Sequence, residues 1–440
     1  MLTGLIASPV VRGEAVSLQG LIGQALAHNP DIRIQQARLA EAEARLQEAT
    51  AAFLPRLSAR VGYEYTNDPS RAFAHIVAQR RFDFGMDINH PGWVENFRPE
   101  LMASWSLYRG GQDSDRRRAA ELGVDVAVLE QQALHNRLTA AVTVAYYTWQ
   151  MAPEQIAVAR QSLHSLEVEQ RHTRQRVEQG MALKADLLSL DVREAASREA
   201  ELRATNALTL AHSSLQGLVG GDIPDEPPTG VDSRRLPPLP EPLPRLLEQA
   251  VSQRPELQAA RQQQAIRQAE LEAERANRLP RVAAYAGYGL NSQGPDFNFN
   301  QDNLTLGINA QVDLFTGGAT RARIAAAEQR LIAAEAQVVR TRLGIEDEVR
   351  RAAATLGETL QRTETANRGR TAADEALRLV HLQYQGGAAP VTRYLDAETD
   401  RAEASLRAIL SHHEAYMAEA QLQQATGQLA TFATEKNRHD

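Results

Sequence analysis

The residues that could do chemistry in this 440-residue chain are spread out, and their arrangement points away from catalysis. Cysteine is absent, which removes disulfides, thiolate metal sites, a cysteine nucleophile and an acylated cysteine. No phosphate-cradling glycine loop and no G-x-S-x-G elbow occurs. The eleven histidines are scattered, and His412 and His413, being adjacent, fall on different faces of a helix. No metal, cofactor or enzyme activity is expected. What the polar side chains do show is alternation. Arg60 and Glu64 interleave with Leu57, Ala59, Val61, Tyr63 and Tyr65, while Asn309, Gln311 and Asp313 interleave with Leu304, Leu306, Ile308, Ala310, Val312 and Leu314. A period of two sorts the polar set to one face of a strand and the apolar set to the other.

These strands belong to a unit that is written twice. Leu21, Ala25, Pro30, Leu46, Leu54, Pro55, Arg56, Gly62 and Tyr63 recur 225 positions on, from Leu246 to Tyr288. Leu107, Gly110, Gly111, Glu121, Leu215 and Gly220 recur 207 positions on, from Leu314 to Gly427. Two tandem copies of one supersecondary unit are expected, 18–220 and 245–427, joined by a Pro-rich linker at 221–244. The 18 residues lost between offsets fall between Tyr65 and Trp105, so 66–99 and its counterpart 291–302 read as exposed loops.

Each copy predicts a short helix stopped by Asn29-Pro30 or Arg254-Pro255, a longer helix ending at Leu-Pro, and a strand pair. About seventy helical residues follow, near 100 Å if continuous at about 1.5 Å per residue, then a glycine turn at Gly180 or Gly386-Gly387 and a returning helix. Pro153 has no counterpart and predicts a kink. Residues 1–17 read as a truncated or mis-started export signal, with Gly13-Glu14-Ala15 as a small-x-small site but no basic start, or equally as a floppy terminus, and 428–440 reads as a tail. Net charge is −7 with basic residues dispersed along helices, which argues against nucleic acid as a partner. No apolar run is long enough for a transmembrane helix.

Four amphipathic strands of about nine to eleven residues match a tilted bilayer crossing, yet about eight strands is the smallest closed bacterial barrel and lipid tolerates no open edge. Chains must pool strands. Arg60, Glu64, Asn309, Gln311 and Asp313 would then line a watery lumen, with Tyr63, Tyr65, Tyr288, Trp105 and Tyr108 near strand ends as an aromatic girdle.

At this point the chain resembles the TolC family of outer-membrane efflux proteins, over essentially Leu18 to Gly427. The resemblance rests on Asn29-Pro30-Asp31 and Arg254-Pro255-Glu256, on Leu54-Pro55 and Leu279-Pro280, and on Leu107 to Gly111 and Leu314 to Gly318, in order and duplicated. It implies a mainly α chain with transmembrane β: a homotrimer whose two hairpins per chain make a twelve-stranded barrel in outer-membrane lipid, continued by a long periplasmic α-helical barrel. It implies a passive exit duct of a tripartite efflux or type I secretion system, working with a periplasmic adaptor and an inner-membrane transporter. Gly180, Gly386 and Gly387 would mark adaptor-contacting tips. Tyr384, Arg393, Asp396 and, in the first copy, Asp186 would stand at the periplasmic entrance, where Arg393 replaces the family's usual carboxylate and sets three cations beside three anions. Read from the residues alone, Arg393 and Asp396 are equally an i, i+3 surface pair, and a bridge from Arg393 to Asp186 is conceivable. A soluble periplasmic adaptor or coiled-coil scaffold is the alternative, since either would share helical hairpins.

Overall fold

The computed structural model describes residues 17–228, 235–295, 297 and 299–429. Most of the expected leader and tail, and 229–234 of the linker, lie outside these residues. In chain order the elements are α1 (Leu18–His28), α2 (Pro30–Ala51), β1 (Arg56–Thr66), α3 (Pro69–Ala78), β2 (Val94–Tyr108), α4 (Gln112–Glu178) and α5 (Lys184–Val219). The second copy gives α6 (Leu243–Gln253), α7 (Pro255–Arg275), β3 (Arg281–Leu290), β4 (Asp302–Gln311), α8 (Ala319–Gln385) and α9 (Val391–Thr426).

The helices begin and end where local chemistry says they should. Ser17 accepts from the Gly20 amide and caps α1, and Gly220 and Gly427 close α5 and α9 in the left-handed conformation, at φ +74° and +81°. The α4 helix runs as one element through Pro153. The chain divides into two compact units, one of 1–37, 128–258 and 339–440, the other of 38–127 and 259–338; each draws on both copies.

In the first unit the duplication is visible as duplicated joints. Asn29 donates to the Leu218 carbonyl at 2.8 Å, and its counterpart Arg254 donates to the Ala425 carbonyl at 3.1 Å. Arg254 is 6% exposed, and it is held by Glu256 at 2.8 Å and Glu348 at 2.9 Å, so the larger cation enters with its countercharges. One apolar core joins Leu21, Ala25 and Ile32 to Val142, Tyr146 and Trp149 of α4 and to Leu215 and Val219 of α5.

The second unit holds a four-stranded antiparallel sheet in the order β1-β2-β3-β4. Arg56 pairs with Ser104 in the first hairpin and Arg281 with Gln311 in the second, which is the same register carried over by the two sequence offsets. Gly110, at φ +69°, closes against the end of α7: a Cβ there would stand 2.8 Å from the Ala276 carbonyl and from Leu279 Cβ. Its counterpart Gly317, at φ +62°, meets nothing within 4 Å.

Two expectations fail here. The segment 66–99 is not simply a loop: it contains α3, and β2 begins at Val94, seven residues before Leu101. Pro99 hid that extension, because proline donates no ladder bond; it lies opposite Val61, just beyond the last β2–β3 pair, Glu100 with Gly289. The strand expected to reach Leu314 stops at Gln311, so Asp313 lies past the end of β4.

Candidate functional site

Cross-strand partners in an antiparallel sheet share a face, so the register assigns every side chain. One face carries Arg60, Glu64, Asn96, Arg98, Glu100, Asn309 and Gln311. The other carries Leu57, Val61, Tyr63, Leu101, Trp105, Tyr288, Leu304, Leu306 and Ile308. That second face is bare in the single chain: Leu57 is 71% exposed and Ile308 72%. An apolar face of this extent has no place in water. Its aromatics gather toward the two strand ends. Tyr65 stacks on Trp93 at 4.7 Å at the loop end, and Trp105 donates to the Phe53 carbonyl at 2.9 Å near the helix-connected end. Among the described residues no helix is long and apolar enough to cross a membrane.

The polar face is braced internally. Arg98 pairs with Glu100 at 2.9 Å, and Tyr285 lies over Gly307 so closely that a Cβ there would stand 2.3 Å from the ring. Glu64, expected only to line the lumen, is engaged by Arg71 at 2.6 Å and His75 at 3.3 Å of α3. Asp313 faces Arg281 at 2.6 Å and steadies the strand end instead of lining the face. Arg98 and Glu100 were missed because they precede the Leu101 start read from the alternation; extending that alternation back through Pro99 would have found them.

In the first unit the two helix-turn-helix tips come together. Gly180 at φ +72° and Gly387 at φ +75° make the same turn, with Met181 donating to the Arg176 carbonyl and Ala388 to the Gln383 carbonyl. Gly386, by contrast, needs no left-handed backbone. Tyr384 is enclosed between the two hairpins. It is 7% exposed, packs with Leu166, Leu190, Val391, Tyr394 and Leu395, stacks on Tyr394 at 5.5 Å, and shares a 3.2 Å hydrogen bond with Thr173 of α4. Burial raises the phenol pKa values of both tyrosines, so both remain neutral donors.

The charges at the tips are arranged otherwise than expected. Asp396 pairs with Arg193 of α5 at 3.7 Å, not with Arg393 three residues away. Arg393 is exposed and forms neither that pair nor a bridge to Asp186, whose carboxylate accepts from the Leu183 amide at 3.4 Å and caps α5. Below the tip, Glu398 and Arg401 form a 3.2 Å pair at 2% and 9% side-chain exposure. Thr173, Arg193 and Glu398 were not foreseen; a contact between helices far apart in sequence leaves no i, i+4 signature.

The model of the family described as outer membrane efflux protein matches residues 21–221 and 246–428, the two copies. The alkaline protease secretion protein AprF of Pseudomonas aeruginosa is 27% identical over 333 residues, covering 73% of this chain and 66% of that protein. Protein CyaE of Bordetella pertussis is 26% identical, covering 91% of this chain and 82% of the relative. The fold is similar to that of the CmeC outer membrane channel of Campylobacter jejuni, with a TM-score of 0.82 at 14% identity over 98% of this chain and 94% of that one. A duplicated helix-hairpin-helix unit, an exposed apolar sheet face and this match agree: the chain belongs to the outer membrane efflux protein family and is an outer-membrane exit channel, not a soluble periplasmic adaptor or coiled-coil scaffold.

Proposed function

We propose that three copies of the chain close one twelve-stranded barrel and form a passive duct, fed at its helical tips by a periplasmic adaptor and an inner-membrane transporter. The observation that carries this reading is a sheet with two free edges, β1 and β4, and one face that is apolar apart from Glu95 and Asp302 at its loop end. Such a sheet cannot stand alone in lipid. The cargo belongs to the classes that a water-filled bore admits, small molecules or an unfolded protein, and the name of AprF makes a secreted protein the first to test. Each repeat, 18–220 or 245–427, is one sixth of the ring, and 221–244 is the strap between them.

The duplication also specifies how copies meet. Within the chain Leu101 faces Tyr288 and Ala103 faces Ala286. Moving β2 onto β4 and β3 onto β1 by the repeat offsets sets Ile308 opposite Tyr63, and Ala310 opposite Val61, of a second copy. The same step sets Gln311 opposite Arg60 on the polar face. The native chain has no cysteine, so Ile308→Cys with Tyr63→Cys reports this register directly. Directly opposed residues have Cβ atoms about 4.5–5.5 Å apart, within disulfide reach, whereas the two positions within one chain lie across the sheet, about 14 Å apart. Oxidation is expected to give a gel ladder ending at the trimer. A ladder from Ile308→Cys with Val61→Cys in its place would shift the register, and no ladder from either pair would remove the shared barrel.

At the tips, Arg393 and Asp396 repeated three times form a ring of alternating charge that narrows the entrance, with Asp396 also tying α9 to Arg193. Charges gathered around an axis and partly desolvated interact by about 4 kcal/mol per pair at 4 Å and an effective dielectric near 20. Single-channel conductance is therefore expected to rise for Arg393→Ala and for Asp396→Ala. Unchanged conductance in both removes the entrance assignment and leaves the duct standing.

A further inference from the structure

We infer that α3 hangs inside the duct and obstructs its outer opening. This rests on the duct reading above and concerns the end of the sheet away from the helices, where Thr66 and Val94 carry the longer of the two inter-strand connections.

The side-chain contacts between α3 and the strands fall on one face. Arg71 and His75 engage Glu64; Ala72 and Ile76 pack on Val94; and Gln79, wholly buried at the end of the helix, donates to Asn96 Oδ1 at 3.1 Å. Glu64, Val94 and Asn96 share the face of Arg60 and Gln311, because Glu64 pairs with Asn96 and Thr66 with Val94. The apolar, membrane-facing side receives none of these contacts. Closing the barrel therefore turns α3 inward.

The helix is firmly seated there. Asp68 caps it by accepting from the Ser70 and Arg71 amides, and Pro69 occupies its first turn. Gln79 also donates to the Glu95 carbonyl at 2.7 Å and accepts through its own carbonyl from Gln301 at 2.8 Å, which ties the connection to the second hairpin. What α3 presents away from the sheet is apolar: Phe73 and Val77 are 37% and 46% exposed. Phe73, Phe82 and Phe84 form an edge-to-face chain at 5.4 and 5.3 Å, and Phe84 is 98% exposed. Aromatic rings pointing into a watery bore have unfavourable hydration unless they meet one another.

Size decides whether they meet. Twelve strands about 4.8 Å apart and tilted about 40° close on a circle about 24 Å across. A helix with its side chains is about 10–12 Å thick. Three of them against the wall leave no open bore, and their phenylalanines converge at the axis. The exit is thus narrowed by an apolar plug in three parts that cargo must push aside.

Two measurements on the full-length protein test this. In the Phe84→Cys variant, a bis-maleimide with a span of about one helix diameter, 10 Å, is expected to join copies into dimers and trimers. In Gln311→Cys, deep in the lumen, a polymer-maleimide sized for the open bore is added to the outside of intact cells. Labelling is expected to rise about ten-fold or more when Phe73, Phe82 and Phe84 are also changed to Ala, as when a blocked state leaves the open one at most about a tenth populated. Phe84→Cys chains that stay monomeric, or Gln311→Cys labelled equally fast with and without the aromatic trio, overturns the plug. Failure of the Ile308→Cys with Tyr63→Cys ladder would instead overturn the shared barrel itself, so the two failures are told apart.

Discussion

Replacing Glu398 by Ala is expected to weaken the helical tips by about 3–5 kcal/mol, because it strands the Arg401 guanidinium without its countercharge in a buried site. The pair is 3.2 Å apart and almost fully enclosed. Hydrogen exchange of the amides around Leu190, Tyr394 and Leu395 is the direct readout, with the loss confined to the tip and absent near Trp149. Glu398→Gln keeps the shape and an acceptor for Arg401 while removing the charge that burial disfavours, so it is expected to lose far less than Glu398→Ala. Burial also raises the Glu398 carboxyl above its ordinary 4.5, with Arg401 and Ser162 pulling the other way. An acid whose folded pKa is raised contributes stability that is complete below about pH 4.5 and drains as pH climbs through the folded value. The tips are therefore expected to tighten in mild acid, and Glu398→Gln to flatten that trend. A trend that survives Glu398→Gln would assign the titration to another group.

The second large effect is expected at Trp149, which is completely buried among Leu21, Ile32, Val142, Tyr146 and Leu215. Trp149→Ala removes an aromatic side chain from the junction of α1, α4 and α5, at about 3–5 kcal/mol. Trp149→Phe should behave differently. Among the described residues the indole N–H has no hydrogen-bond partner, so removing it relieves a cost of about 1–3 kcal/mol that offsets much of the lost packing. Thermal melting in detergent should place Phe near the native protein and Ala far below it; similar melting of the two would show that the orphaned donor is harmless.

The second copy explains why this core was readable in outline but not in detail. Leu138, Val142 and Trp149 correspond to Ile345, Val349 and Leu356, all buried, so the helical face is repeated while the side chains filling it are not. Periodicity tells which face is covered and says little about what covers it. The glycine turns at Gly180 and Gly387, the Leu-Pro strand starts and the two sheet faces were legible for the same reason: each is fixed by a local backbone or spacing requirement. The α3 helix was legible only in part. Asp68-Pro69 is a good helix start, but ten residues amid Asn, Asp, Gly and Pro do not stand out from a loop. The pairing of Asp396 with Arg193, in preference to Arg393, depends on how α5 and α9 lie side by side, and no spacing within one helix encodes that.

Gly110 and Gly317 carry a last consequence. The first is pressed against Ala276 and Leu279 of the following repeat, while the second faces open space in the isolated molecule. In a closed ring, the neighbour's Leu54 stands where Leu279 stands for Gly110. In the ring proposed above, one joint would thus be used alternately inside a polypeptide and between polypeptides. Severing the strap at 221–244 would turn a ring of three into a ring of six half-length pieces, with no new contact to invent.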